Sequence, residues 1–294
     1  MNLIFKKIFL LISIIGFIFA LNPISDTSNN NELNNANLRV STFSGKIFID
    51  NNWTEAKAAG ICTGTGTKSD PYVIKDLKMN GGGVGSCILI QNSTAYIKII
   101  NCTIYNSGAN FFDAAIKILN AKNIELRNNI LFNQLNGILI YLCNDTVISG
   151  NDCSECTGVK ITYCQNIFVY YNNFVSTNEY VASFNADHSN ITWNSPQKLT
   201  YTYQGRTYTN FIGSYFSGYS GDDNNNDGIG DSPLVIDPHK PTPIIVDRYP
   251  LMETIENYEI TESAFISGFN LLYFSMIILF TSLGIILKLK RKKI

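Results

Sequence analysis

Four stretches of this chain repeat one another in register, and that repeat limits the fold more than any other feature. They read AIKILNAKNIELRNN from Ala115, GILIYLCNDTVISGN from Gly137, GVKITYCQNIFVYYN from Gly158 and YVASFNADHSNITWN from Tyr180. Their second residues, Ile116, Ile138, Val159 and Val181, lie 22, 21 and 22 positions apart, and 13 positions further on each copy closes on Asn129, Asn151, Asn172 or Asn194. A fixed period near 20 residues marks a stacked architecture, not a compact globular sheet. Within a copy the apolar residues alternate, as in Ile116/Ile118 with Ile124/Leu126 and Val159/Ile161 with Ile167/Val169. Period two over three or four residues is a short strand with one buried face.

Two such strands per copy, joined by Asn-, Ser- and Gly-containing corners, describe a coil whose successive turns pair in parallel about 4.8 Å apart. The inward residues then stack into Ile, Val and Leu columns. Asn at a shared corner pairs its amide with the one above, so buried polar groups keep partners. A fifth copy, CILIQNSTAYIKIIN from Cys87, precedes the first by 28 residues, the excess being an insertion around Gly108 to Asp113. Its second half fits with a one-residue slip, and an earlier copy is expected at Pro71 to Met79. An antiparallel sandwich also shows short strands at regular spacing, but its strands merely alternate and do not resemble one another residue by residue. About six coils give a column only about 30 Å long at the strand spacing.

Both ends of the chain are apolar and read as targeting segments. Lys6 and Lys7 precede the run Ile8 to Ala20, the layout of a signal peptide over 1–20. A polar leader over 21–45, with Asn29 to Asn31 and Asn34 to Asn35, follows as a flexible stretch. Residues 264–287 carry no charged side chain and are followed by Lys288, Lys290, Arg291, Lys292 and Lys293. That span is long enough to cross a bilayer as one helix, and the basic tail over 288–294 stays on the cytoplasmic side. The ectodomain is therefore expected outside the cell. It divides into a β-helix over 46–198, a C-terminal cap over 199–252 and a juxtamembrane linker over 253–263. The expected fold class is all-β, a right-handed parallel β-helix with a C-terminal transmembrane α-helix. Only 15% of residues are charged and the net charge is −1, so no basic stripe serves a nucleic-acid partner.

The sharpest local motif is Asp223-Asn224-Asn225-Asn226-Asp227-Gly228-Ile229-Gly230-Asp231. Oxygen donors at alternate positions before a turn glycine form a calcium loop: side chains of Asp223, Asn225 and Asp227, the carbonyl of Ile229, and Asp231 directly or through water. Leu234 stands where an EF-hand places its bidentate Glu, so the motif is an isolated loop with a structural Ca²⁺ that holds the cap over the last coil. The competing reading is a solvated Asp/Asn/Gly turn.

Seven cysteines stand at 62, 87, 102, 143, 153, 156 and 164. Outside the cell disulfides form, and Cys62 with Cys87 and Cys153 with Cys156 are the candidate pairs. Cys143 and Cys164 occupy equivalent places in adjacent copies and should stack as buried thiols. Sequons at Asn52, Asn92, Asn101, Asn144 and Asn190 are glycosylation candidates, although corner hydrogen bonding accounts for Asn at several of these places.

Three stretches carry a resemblance to a family. GTGTKSDPYVIKDL from Gly64 resembles the opening strand of NosD-like parallel β-helix proteins, the repeats from Cys87 to Asn194 resemble their coils, and SYFSGYSGDDNNNDGIGDSPLVI followed by VDRYPLM resembles their characteristic end. The resemblance implies the fold and a link to carbohydrate, since the wider group contains sugar-binding proteins and polysaccharide-cleaving enzymes. The copper label of some members transfers poorly to a chain with two His and four Met that are not grouped.

Catalysis by a β-helix lyase or hydrolase needs charged side chains gathered across neighbouring coils. In the aligned copies Glu125, Asp145, Asp152, Glu155 and Asp187 fall mostly in different columns, and no catalytic residue is assigned. The expected function is a non-catalytic, membrane-anchored surface module that binds surface carbohydrate or serves structure and adhesion. The alternative is a polysaccharide lyase, hydrolase or epimerase.

Overall fold

The computed structural model describes residues 41–43, 45–175, 181–183, 191–236 and 246–261. The signal peptide, the transmembrane segment and the basic tail expected from sequence lie outside these residues. Among the described residues, no helix is long and apolar enough to cross a membrane.

Six coils form a parallel β-solenoid of the right-handed type with three sheets. The first face stacks Ile47–Asp50, Ile88–Gln91, Ile116–Leu119, Asn136–Tyr141, Thr157–Thr162 and Val181–Ser183. The second stacks Tyr72–Lys75, Ile97–Ile100, Lys122–Arg127, Asn144–Ser149, Gln165–Tyr170 and Ile191–Thr192. The third runs from Ser41–Phe43 through Leu77–Asn80, Thr103–Tyr105, Ile130–Phe132, Asp152–Ser154 and Asn173–Val175 to Tyr215–Phe216. Each coil thus has three strands where the repeat suggested two. Pieces of three residues are too short to show alternation in sequence and read as corners. Ser41–Phe43, expected in the leader, pairs with Leu77, Lys78 and Met79 and so belongs to the solenoid.

The register follows the repeat. Ile116, Ile138, Val159 and Val181 pair in succession. Ile88 pairs with Ile116 but Ile97 with Ile124, which is the one-residue slip of the fifth copy. In the last copy Ile167 pairs with Ile191, two residues beyond the position the repeat predicts. That slip removes Asn194 from its expected corner.

The corners explain the abundance of Asn. Between the first and second faces Asn92, Asn120, Leu142 and Tyr163 hold φ of 57°, 47°, 53° and 52°. Between the second and third, Asp76, Asn101, Asn128, Gly150 and Tyr171 do the same. This left-handed region costs most L-residues about 1–2 kcal/mol, and Asn, Asp and Gly least.

One position inside the second of these corners forms the buried ladder. Asn151 Oδ1 accepts from Asn129 N and Nδ2 at 3.1 and 2.9 Å, and Asn172 Oδ1 accepts the equivalent pair from Asn151 at 2.9 and 3.0 Å. Their amides donate down the stack to the carbonyls of Ile99, Leu126 and Ile148 at 2.9–3.0 Å. Cys102 ends the ladder below, its N–H on Asn129 Oδ1, and Ser214 Oγ ends it above by accepting from Asn172 N. Asn194 instead donates to the carbonyl of Ser195 at 2.8 Å.

The cap both closes the top and folds down one side. Ile236, Leu234 and Tyr219 pack with Phe216 on the solenoid core. Leu199–Tyr203, Arg206–Asn210 and Tyr258–Ile260 form an antiparallel sheet. Their Tyr201, Tyr203 and Tyr258 pack with Tyr170, Phe168 and Val147 on the outer side of the second face. The stretch expected as a juxtamembrane linker therefore supplies a cap strand, pairing Tyr201 with Ile260 and Tyr203 with Tyr258. Aromatic side chains that follow the coils pack the cap: Tyr201, Tyr203 and Phe216 are buried.

Candidate functional site

The acidic loop sits at the heart of the cap. Gly228 holds φ +84°, and a Cβ there would lie 2.7–2.8 Å from the rings of Tyr258 and Tyr203, so glycine is required on two grounds. Tyr201, Tyr208 and Tyr258 hydroxyls donate to the carbonyls of Asp227, Asn226 and Gly228 and fix the turn. Asp223 accepts from Asp227 N and Gly228 N at 3.1 and 2.8 Å, Asn225 Oδ1 from Asp227 N at 3.0 Å, and Asp227 Oδ1 from Ile229 N at 2.9 Å. Three of the expected donors, Asp223, Asn225 and Asp227, are therefore brought together. Asp231 turns to Asn224, whose N–H and amide both donate to its Oδ2 at 2.8 Å and hold its carboxyl below the usual range. Ile229 is buried and bridges to Leu251.

Beside this loop Asp247 is fully buried under the cap. It accepts from Ser214 N at 2.8 Å and Tyr249 N at 2.9 Å, and desolvation pushes its carboxyl up to about 7 against those two bonds. It ties the last strand of the third face to the segment that closes it.

All seven cysteines are buried and unbridged, so the pairs expected at Cys62 with Cys87 and at Cys153 with Cys156 stand as free thiols. Cys143 and Cys164 stack as expected, with Cys143 N–H donating to Cys164 Sγ at 3.3 Å. Burial raises Cys62 and takes Cys87 and Cys102 up to about 11. A hydrogen bond with Cys156 and burial hold Cys153 well above the ordinary thiol range.

The sequons separate by environment. Asn92 and Asn101 sit in left-handed corners with Nδ2 donating to Asp50 at 2.7 Å and Asp76 at 2.6 Å, the corner bonding that competes with glycosylation. Asn52 uses its Oδ1 to accept from Asp50 N, and Asn144 is exposed at the start of its strand. Asn190 lies outside the described residues.

Two clusters escaped the sequence reading. On the outer side of the second face, Glu125 is held by Lys98 at 2.8 Å and Arg127 at 2.7 Å, in a depression that Lys68, Tyr96 and Tyr170 also line. Lys98 and Glu125 are register partners on adjacent strands, a relation visible once the fifth copy is aligned with its slip. On the third face Asn173 Nδ2 donates to both carboxylate oxygens of Glu256, while its Oδ1 accepts from Ile255 N. Burial raises the neighbouring Asp152, and Glu256 adds to that. Glu256 belongs to the stretch read as linker, so its approach to the coil was not expected.

A family model described as periplasmic copper-binding protein (NosD) matches residues 22–221. No curated protein and no solved structure matches the chain. The described residues do not suit copper. Thiolate and thioether are the soft donors, and a thiol binds only when deprotonated. Here all seven thiols are buried, with Cys62, Cys87 and Cys102 raised by that burial, Met79 is sealed in the core, Met252 is half-buried, and His188 and His239 lie outside the described residues. Among the described residues, no three His, Cys, Asp or Glu side chains gather closely enough to hold a metal ion.

Proposed function

The chain belongs to the NosD family, and we propose that it is a non-catalytic β-solenoid module displayed outside the cell on a single-pass C-terminal anchor, where it binds surface carbohydrate or serves structure and adhesion. One observation carries the reading: Lys98, Glu125 and Arg127 from adjacent coils are held together on the outer side of the second face, whose flank is left open below the cap. Extended flat faces of this kind suit a polymer better than a small metabolite.

The family's copper label is not carried to this chain, because the thiols are buried and no three His, Cys, Asp or Glu side chains gather among the described residues. A structural Ca²⁺ in the cap is part of the proposal. Asp223, Asn225 and Asp227 already converge, the Ile229 carbonyl and Asp231 are the further donors, and Ca²⁺ takes six to eight oxygens. Sugar on Asn52 and Asn144 fits the module's surface better than sugar on Asn92 or Asn101.

A second reading, a polysaccharide-active enzyme, is favoured by Asp152 beside Glu256. One carboxyl pushed up near another is the division of labour that glycoside cleavage uses. Asn173 spans this pair and also ties the 3₁₀ turn Ile255–Asn257 to the coil, which gives the pair a structural task.

The test is a glycan array probed with the full-length chain, with and without Ca²⁺, followed by incubation with every glycan retained. Binding without new reducing or unsaturated ends supports the module. Product release overturns the non-catalytic reading, and a chain that binds nothing retains only the structural role.

A further inference from the structure

The open flank of the second face combines charge, concavity and fixed geometry in a way the cap and the thiols do not. A depression of about 90 Å³ is lined by Lys68, Tyr96, Lys98, Glu125, Arg127 and Tyr170. A buried water needs about 10–15 Å³, so the depression has room for several waters and hence for the substituted edge of one sugar ring.

Its formal charge is positive: Lys68, Lys98 and Arg127 against Glu125 give 3 − 1 = +2. Glu125 is shared by two cations, at 2.8 Å from Lys98 and 2.7 Å from Arg127, so it holds their side chains in place without neutralising both. The supports are rigid. Lys98, Glu125 and Arg127 project from paired strands. Lys68 rides on the turn Thr67–Asp70, which Tyr96 N–H ties to the second coil by donating to Gly66 O at 3.0 Å. Tyr170, nearly buried under the cap, closes the upper end beside Arg127. Guanidinium and ammonium groups on a fixed frame recognise planar or tetrahedral anions, and an aromatic side chain at the rim gives a sugar ring an apolar surface.

We propose that this groove on the second face is a binding site for an anionic sugar unit, a hexose carrying a carboxylate or a sulfate. The proposal rests on the carbohydrate-binding reading and names its site and ligand class. The rest of the polymer leaves the groove on the side away from the cap, over the first coils, and the anionic unit sets its register.

The test uses the full-length chain titrated with three oligosaccharides of equal length, an oligouronate, a sulfated galactan and a neutral galactan, in parallel with Lys68→Gln and Lys98→Gln. Both lysines sit at the surface, and an unchanged thermal midpoint certifies each variant's fold. The expected result is binding of at least one anionic oligosaccharide that is at least tenfold tighter than the neutral one. It should weaken steeply with salt and fall at least tenfold in each variant. The uronate and sulfate arms identify which anion is read. Anionic binding undiminished in both variants overturns the groove and leaves the carbohydrate reading standing, as does preference for the neutral oligosaccharide. Failure to bind all three, and every glycan of the array, overturns both.

Discussion

Replacing Asn151 by Ala should cost far more than replacing Asn194 by Ala, although the two Asn occupy the same place in the sequence repeat. The Asn151 side chain makes five buried hydrogen bonds: it accepts from Asn129 N and Nδ2, and it donates to the carbonyls of Leu126 and Ser149 and to Asn172 Oδ1. A typical hydrogen bond contributes about 1 kcal/mol net, and a buried group stripped of its partner costs about 1–3 kcal/mol. The alanine variant leaves the Asn129 N–H facing a void and takes a partner from the Leu126 carbonyl, so the loss should reach about 3–5 kcal/mol. Asn194 makes one bond to its neighbouring carbonyl and lies outside the ladder, so its alanine variant should lose at most about 1 kcal/mol. Urea unfolding of the full-length variants, followed by far-ultraviolet circular dichroism, measures both. Equal losses in the two variants, or less than about 1 kcal/mol at Asn151, would refute the assignment of the ladder.

Asp247 predicts a pH dependence of unusual sign. Its folded-state value of about 7 lies above the ordinary unfolded value of about 3.9, so its stabilising contribution is full below pH 4 and is lost as pH rises through 7. The loss is on the order of 4 kcal/mol, and urea midpoints of wild type and Asp247→Asn from pH 4 to 8 should show a decline in the first that is absent from the second. Leu142→Asn should stabilise by about 1 kcal/mol, because Leu142 holds φ 53° at an exposed corner where Asn is at ease; an unchanged thermal midpoint counts against corner strain. Calcium at ten times its dissociation constant should add about 1.4 kcal/mol, and Asp227→Ala should abolish the gain. A midpoint indifferent to Ca²⁺ would leave the loop as a hydrogen-bonded turn.

Much of the solenoid is legible in the sequence because its physics is local and repeated. The columns through Ile116, Ile138 and Val159, the corner Asn129, Asn151 and Asn172, and the stacked Cys143 and Cys164 all follow from counting along the chain. Departures arise where the period fails to hold. Three-residue strands such as Asp152–Ser154 carry too little pattern to be seen, and the two-residue slip before Ile191 moves Asn194 off the ladder. The cap's descent along the second face depends on Tyr201 and Tyr258 meeting Tyr170, contacts far apart in sequence. The basic groove is not legible along the chain for a related reason: Glu125 has no second carboxylate in its column, and one of its two cationic partners, Lys98, lies on the adjacent coil.

The cap strand Tyr258–Ile260 has a mechanical consequence. It is the edge of a three-stranded sheet in which only Leu199–Tyr203 is its neighbour, and it is the last described strand before the chain continues toward its C-terminus. Tension arriving through that continuation is received first by this strand. Pulled along its own axis, the strand resists through its ladder of hydrogen bonds loaded together in shear. The first element to yield under drag would then be the cap's edge, with the Tyr171 hydroxyl, bonded to the carbonyls of Ile255 and Tyr258, as the next restraint before the coils feel the load.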